Sequence, residues 1–187
     1  MHTLAALCLD FETANFDAAS SIALGLCGVG HEGAIIFKQS WLYRPEGRLY
    51  IRPDFIDIHG ITPAMLKGKP TFRELWDEIG PWLAAAPLLV AHNAGFDRRV
   101  LEGTMARADI ELPRKNWQCT VQLARRTWPY LTNHKLSTVA AHIGFALNHH
   151  DAGSDSEACA HILHHAGFFN KTPVSKKERQ QDHAAQG

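Results

Sequence analysis

The chain has 187 residues, 45% of them hydrophobic, with Lys plus Arg and Asp plus Glu equal at nineteen each. That length supports one sizeable core and a short tail and argues against a second domain. The even charge excludes attraction of the whole molecule to nucleic acid, so any such binding must use a local patch or a bound cation.

Three apolar, β-leaning runs come first, at about residues 4–12, 21–29 and 34–43, and read as an antiparallel meander. Gly28, Gly30 and Gly33 spell G-x-G-x-x-G, but strand-like Ala34-Ile35-Ile36-Phe37 follows where a dinucleotide site needs a helix, so the glycines are assigned to a hairpin turn. Residues 44–70 are rich in Pro, Gly and Asp and are expected to form a long ordered connection. Thr71 and Glu74 have capping-box spacing, and Phe72, Leu75, Trp76, Ile79, Trp82 and Leu83 recur at helical period, with a kink expected at Pro81. A short strand at 88–91 follows. Helices are then expected at about 95–108, 120–126, 136–143 and 154–166. Strands first and helices later make an α/β domain over residues 1–169, and the polar segment 170–187 reads as a disordered tail. Cys8, Cys27, Cys119 and Cys159 are far apart and form no C-x-x-C pair, which suits free thiols and a cytoplasmic setting. No segment resembles a secretory leader or a membrane span, so no membrane partner is expected, and the Asn170-Lys171-Thr172 sequon carries no weight.

The chemistry begins in the first strand. Successive strand residues face opposite sides, so Asp10 and Glu12 point together, and two carboxylates that close call for a cation. Asp97 opens a helix on the face of Val100 and Leu101. Asp155 opens the last helix on the face of Ala158, Cys159 and Ile162. Both therefore look inward. Oxygen ligands alone favour Mg2+ or Mn2+ over zinc, and such acid clusters typically hold two metals around a phosphate. His149 and His150, just before Asp155, are candidates for a base, and the residues alone do not choose between them.

Taken together, DFET at 10–13, HNAGFD at 92–97 and HDAGSD at 150–155 resemble, in order, the three motifs of the DEDDh (DnaQ-like) family of 3′-to-5′ exonucleases. This group contains the epsilon subunit of DNA polymerase III, RNase T and oligoribonuclease, and the likeness spans about residues 4–166. The resemblance implies an RNase H-like fold with a central mixed five-stranded sheet. It implies two divalent cations, Mg2+ or Mn2+, held by Asp10, Glu12, Asp97 and Asp155, with His150 rather than His149 as general base. It further places Thr13, His59, Gly60, Ile61 and Phe96 against the terminal nucleotide, although Ile58 and Ile61 read equally well as core anchors of their loop. The implied reaction is in-line hydrolysis of the last phosphodiester at a single-stranded 3′ end of DNA or RNA, releasing nucleoside 5′-monophosphates.

Some features depart from the family pattern. The segment after Phe169 is short and polar, which argues against a stable polymerase complex, and oligomeric state is not legible. Three rival readings fit the residues less well. Zinc binding by His161, His164 and His165 lacks a cysteine partner. A catalytically silent binding or adaptor module would be marked by a lost acid, and all five expected residues are present. A glycosidase would need its two carboxylates farther apart than neighbours on one strand face. An RNA-specific oligoribonuclease or RNase T-like enzyme stays within the same chemistry.

Overall fold

The computed structural model describes residues 4–169; the 170–187 segment and the sequon at Asn170 lie outside the described residues. Five strands, β1 (Leu4–Thr13), β2 (Ser21–Gly30), β3 (Ile35–Leu42), β4 (Leu88–Ala91) and β5 (Asn116–Cys119), form one sheet in the order β3-β2-β1-β4-β5. The first three are antiparallel, whereas β4 runs parallel to β1 and β5 parallel to β4. This is the expected mixed sheet with its meander, and β5 is the strand that periodicity did not locate. Only four residues long, it contains the polar Asn116 and Gln118 and lacks the sustained alternation that marks a strand.

Among the described residues there are seven helices: α1 (Pro53–His59), α2 (Pro63–Leu66), α3 (Trp76–Ala85), α4 (Ala94–Arg107), α5 (Thr120–Thr127), α6 (Leu136–His142) and α7 (Ala152–His165). The expected long connection contains α1 and α2, each opening on a proline whose missing N–H costs nothing at a first helical turn. The capping-box residues do pair, Thr71 N–H with Glu74 Oε2 at 2.7 Å and Glu74 N–H with Thr71 Oγ1 at 3.3 Å, but they close a turn before α3 begins.

β1 explains the layering. Its residues Leu7, Leu9 and Phe11 pack on one face with Ile79 and Leu83 of α3 and Val100, Leu101 and Met105 of α4. Ala6 and Cys8 face the other way, against Cys159, Ala160 and Leu163 of α7. Both sides of the strand are therefore sealed, and the alternation carries Asp10 and Glu12 onto the α7 face. Gly25 of β2 is the register partner of Asp10. A Cβ at Gly25 would lie 1.8 Å from the carbonyl oxygen of Ala152, so the missing side chain is what lets the start of α7 rest on the sheet beside the acids.

Candidate active site

Three elements deliver the acids to one end of the sheet. Asp10 and Glu12 come from β1, where a register shift between Glu12 and Thr13 ends the regular pairing with β2. Asp155 lies in the first turn of α7, which starts two residues earlier than its apolar pattern implied because Asp151 caps it, accepting from Ser154 N–H at 2.8 Å. Asp97 lies in the first turn of α4 and accepts from Phe11 N–H at 3.2 Å, a bond that ties the helix to the strand bearing the other acids. Asp97 and Asp155 are only 1% and 3% exposed.

Among the described residues, Asp10, Glu12 and Asp155 each offer an oxygen within 4.8 Å of the others. Asp97 stands beside this triad rather than within it. Burial raises the pKa values of all four acids, and mutual repulsion adds to it at Asp10, Glu12 and Asp97. Burial, then Asp97, Glu12 and Asp155 in turn, push the Asp10 carboxyl far above the usual carboxylate range. Burial, then Asp155 and Asp97, raise Glu12 to about 8. Burial, together with Asp155, raises Asp97 to about 7 against the lowering effect of the Phe11 N–H. Burial also raises Asp155, partly offset by His149 and by the His150 N–H. A divalent cation reverses this logic by favouring the ionised forms. The fit has a second sign: Asp155 Oδ1 is buried and meets no donor, an open acceptor inside an all-oxygen set.

His149 and His150 both reach Asp155, in different ways. His149 donates from Nδ1 to Asp155 Oδ2 at 3.1 Å, and His150 donates its backbone N–H to the same oxygen at 3.2 Å. The two rings are stacked with centroids 3.8 Å apart. His150 takes a left-handed backbone, φ 65°, and burial and His149 hold its imidazole below the ordinary pKa. The other cluster of metal-ligating atoms is His149, His150 and Asp155; His161, His164 and His165 do not form one among the described residues.

Of the nucleotide-site candidates, His59, Gly60 and Ile61 lie against the end of β1 at Thr13, whereas Phe96 packs on the α3–α4 side of the sheet. His59 Nδ1 accepts Ile61 N–H at 3.0 Å while Nε2 faces the Thr13 carbonyl at 3.3 Å, so a neutral ring clips α1 to the end of β1. Gly60 supplies the left-handed turn after α1, φ 73°. Ile61 is buried with Ala14, Ile22 and Leu66 as a core anchor, whereas Ile58 is exposed. Thr13 is buried and Phe96 half-buried. Three residues past Thr13, Phe16 is 76% exposed, edge-on to Phe55 and covered by the Arg52 guanidinium, with exposed Tyr50 nearby in the chain. Sequence reasoning missed this aromatic surface, because an exposed Phe and a core Phe read alike until the fold is known.

His92, the first residue of the second motif, has a role that the sequence did not assign. Its Nε2 donates to the His134 carbonyl at 3.0 Å and its Nδ1 accepts from the Thr120 hydroxyl at 2.9 Å, and burial pulls its pKa down to about 4. The neutral ring thus pins the turn before Asp97 to α5 and to the loop before α6.

Known proteins share this fold. The family model described as Exonuclease, of the RNase T type, matches residues 7–163. A DNA polymerase III PolC-type protein of Oceanobacillus iheyensis is 31% identical over 156 residues, 82% of this chain and 11% of that protein. Exodeoxyribonuclease 10 of Escherichia coli K12 is 40% identical over 98 residues, 52% of this chain and 38% of that protein. The chain therefore spans a minor part of these relatives. Among solved structures, exonuclease X in complex with 5′ overhanging duplex DNA superposes with TM-score 0.68 at 25% identity, covering 91% of this chain and 96% of that one. Escherichia coli exonuclease I bound to a dA16 oligonucleotide gives TM-score 0.73 at 18% identity, covering 88% and 42%, a likeness of fold.

Proposed function

This chain belongs to the exonuclease family, and on that premise we propose that it is a metal-dependent 3′-to-5′ exonuclease that removes nucleoside 5′-monophosphates from single-stranded DNA ends. The observation that carries the proposal is the convergence of Asp10, Glu12 and Asp155 around the unpartnered Asp155 Oδ1, with Asp97 fixed beside them. These acids would hold two divalent cations, Mg2+ or Mn2+, which when bound supply positive charge for the scissile phosphate and lower the pKa of water. The exonuclease names of its relatives, one of them an exodeoxyribonuclease, support DNA over RNA.

The chain's own residues then have separable roles. His150, whose imidazole burial and His149 hold below its ordinary pKa, sits on a loop at the edge of the acid cluster and is the group to accept the proton of the attacking water. His59, Gly60 and Thr13 frame the space for the terminal nucleotide, and Ile61 supports that frame from the core. Phe16 offers an exposed face on which a base can stack without its identity being read, the requirement for unspecific strand binding.

The test is an assay of matched 5′-labelled and 3′-labelled strands with Mg2+ or Mn2+, with Asp10→Ala as the blank. A 5′-labelled strand should shorten stepwise and a 3′-labelled one should release a labelled mononucleotide at once. EDTA should abolish both, and His150→Ala should retain metal dependence while losing about 10²-fold to 10⁴-fold in rate. Internal cuts, or full activity in EDTA, would overturn the reading.

A further inference from the structure

Charge is balanced over the whole chain but not along it. Residues 112–150 contain none of the nineteen Asp and Glu, yet five of the nineteen Lys and Arg: Arg114, Lys115, Arg125, Arg126 and Lys135. This acid-free segment runs from just before β5 through α5 and α6 to the histidines beside Asp155. Elsewhere among the described residues half of the cations, Lys38, Arg52, Arg73, Arg98 and Arg107, each meet a carboxylate. Among the described residues, Arg125, Arg126 and Lys135 are exposed and form no ion pair. A surface built only for solubility mixes both signs; this segment of the chain does not.

The segment is anchored to the acid cluster. Thr120, the first residue of α5, bonds to His92 in the turn before Asp97, and the His134 carbonyl, next to Lys135, accepts from the same ring. His134 in turn bonds through Nε2 to the Trp128 carbonyl, two residues past Arg126, so Lys135 is folded back against the end of α5. On the same stretch Tyr130 is 70% exposed and rests edge-on to His142. Cations with an interleaved aromatic are what a polyanion with stacked bases fits.

We propose that Arg125, Arg126 and Lys135 hold the phosphodiester backbone of the strand upstream of the bond being cut, while its 3′ end lies in the acid cluster. This rests on the exonuclease reading and extends it: the chain prefers long strands to short ones, and the preference resides in KM. On this proposal a dinucleotide held in the cluster stops short of Arg125, Arg126 and Lys135 and gains nothing from them.

The experiment uses the full chain with Arg125→Gln, Arg126→Gln and Lys135→Gln combined, and a charge-preserving control of Arg125→Lys, Arg126→Lys and Lys135→Arg. Binding of a labelled single strand is followed in EDTA at several salt concentrations. If three phosphate contacts are lost, the slope of log affinity against log salt becomes about 2 units shallower. Wild-type affinity should then fall about 20-fold more than the variant's between about 50 and about 200 mM salt. With metal, the Gln variant should show raised KM and unchanged kcat on the long strand, and wild-type rates on a dinucleotide; the control should behave as wild type. A Gln variant with wild-type affinity and salt slope, in a protein whose wild type still trims strands, overturns this inference and leaves the exonuclease reading standing. A wild type that cuts no strand with either metal removes that reading itself.

Discussion

Asp155 divides its two oxygens: Oδ2 takes the His149 Nδ1–H and the His150 N–H, and Oδ1 takes nothing. His149 therefore acts on the carboxylate plane, turning its free oxygen away from the loop, and its ring also backs that of His150. A neighbour that orients a metal-binding carboxylate is commonly worth 10-fold to 100-fold in metal affinity. His149→Phe keeps a flat ring to stack on and loses the hydrogen bond, whereas His149→Asn can keep the bond and loses the stack. Mn2+ titration followed by calorimetry should give about 10-fold weaker binding for Phe and near-normal binding for Asn. Equal Mn2+ affinity in His149→Phe and wild type would leave His149 as a solvated loop residue.

At the scale of elements, the site depends on how closely α7 approaches the sheet, and Gly25 sets that distance. Gly25→Ala places a methyl inside van der Waals contact with the Ala152 carbonyl, a backbone atom that can retreat only if the helix start moves. Overpacking of this kind costs about 1–3 kcal/mol, and an Asp155 displaced by even about 1 Å can cost about 100-fold in rate. The expected variant is folded, melts lower, and is nearly inactive with kcat rather than KM affected; wild-type kcat would show that α7 has slack. Nothing in the sequence marked Gly25, because its partner is 127 residues away and a lone glycine in a strand reads as weakness. The strands of the meander were legible because each is long and apolar, and Asp10, Glu12, Asp97 and Asp155 because each acid breaks an apolar face. β5 and the helices α1 and α2 were not, being too short for either period to establish itself. Ile61 went to the core and Phe16 to the surface for a related reason: burial of a loop residue is decided by what packs over it.

Across the whole molecule, three elements are bolted together at a point where their charges repel. Glu12 ordinarily titrates near 4.5 and is raised to about 8 in the fold; Asp97 goes from 3.8 to about 7. Between those limits the folded chain binds more protons than the unfolded chain, so stability falls as pH rises through the window, and the buried thiols Cys8, Cys27 and Cys159, raised above 9, continue the fall at still higher pH. The histidines act in the opposite sense at lower pH: His92, displaced from 6.5 to about 4, adds stability as pH climbs toward 6.5. Above 6.5 that gain is complete and the acids set the slope until the thiols titrate. The metal-free protein should therefore lose stability between about pH 6.5 and 8.5 in urea melts, and Glu12→Gln, inactive, should be more stable than wild type at the upper end. Saturating Mn2+ should flatten the slope by displacing the same protons, and at about 100 times its Kd should add about 2.7 kcal/mol. A flat profile in EDTA over this range would mean that the acids relax apart when no cation holds them, and that the rigid acid floor is built by the metal rather than by β1, α4 and α7.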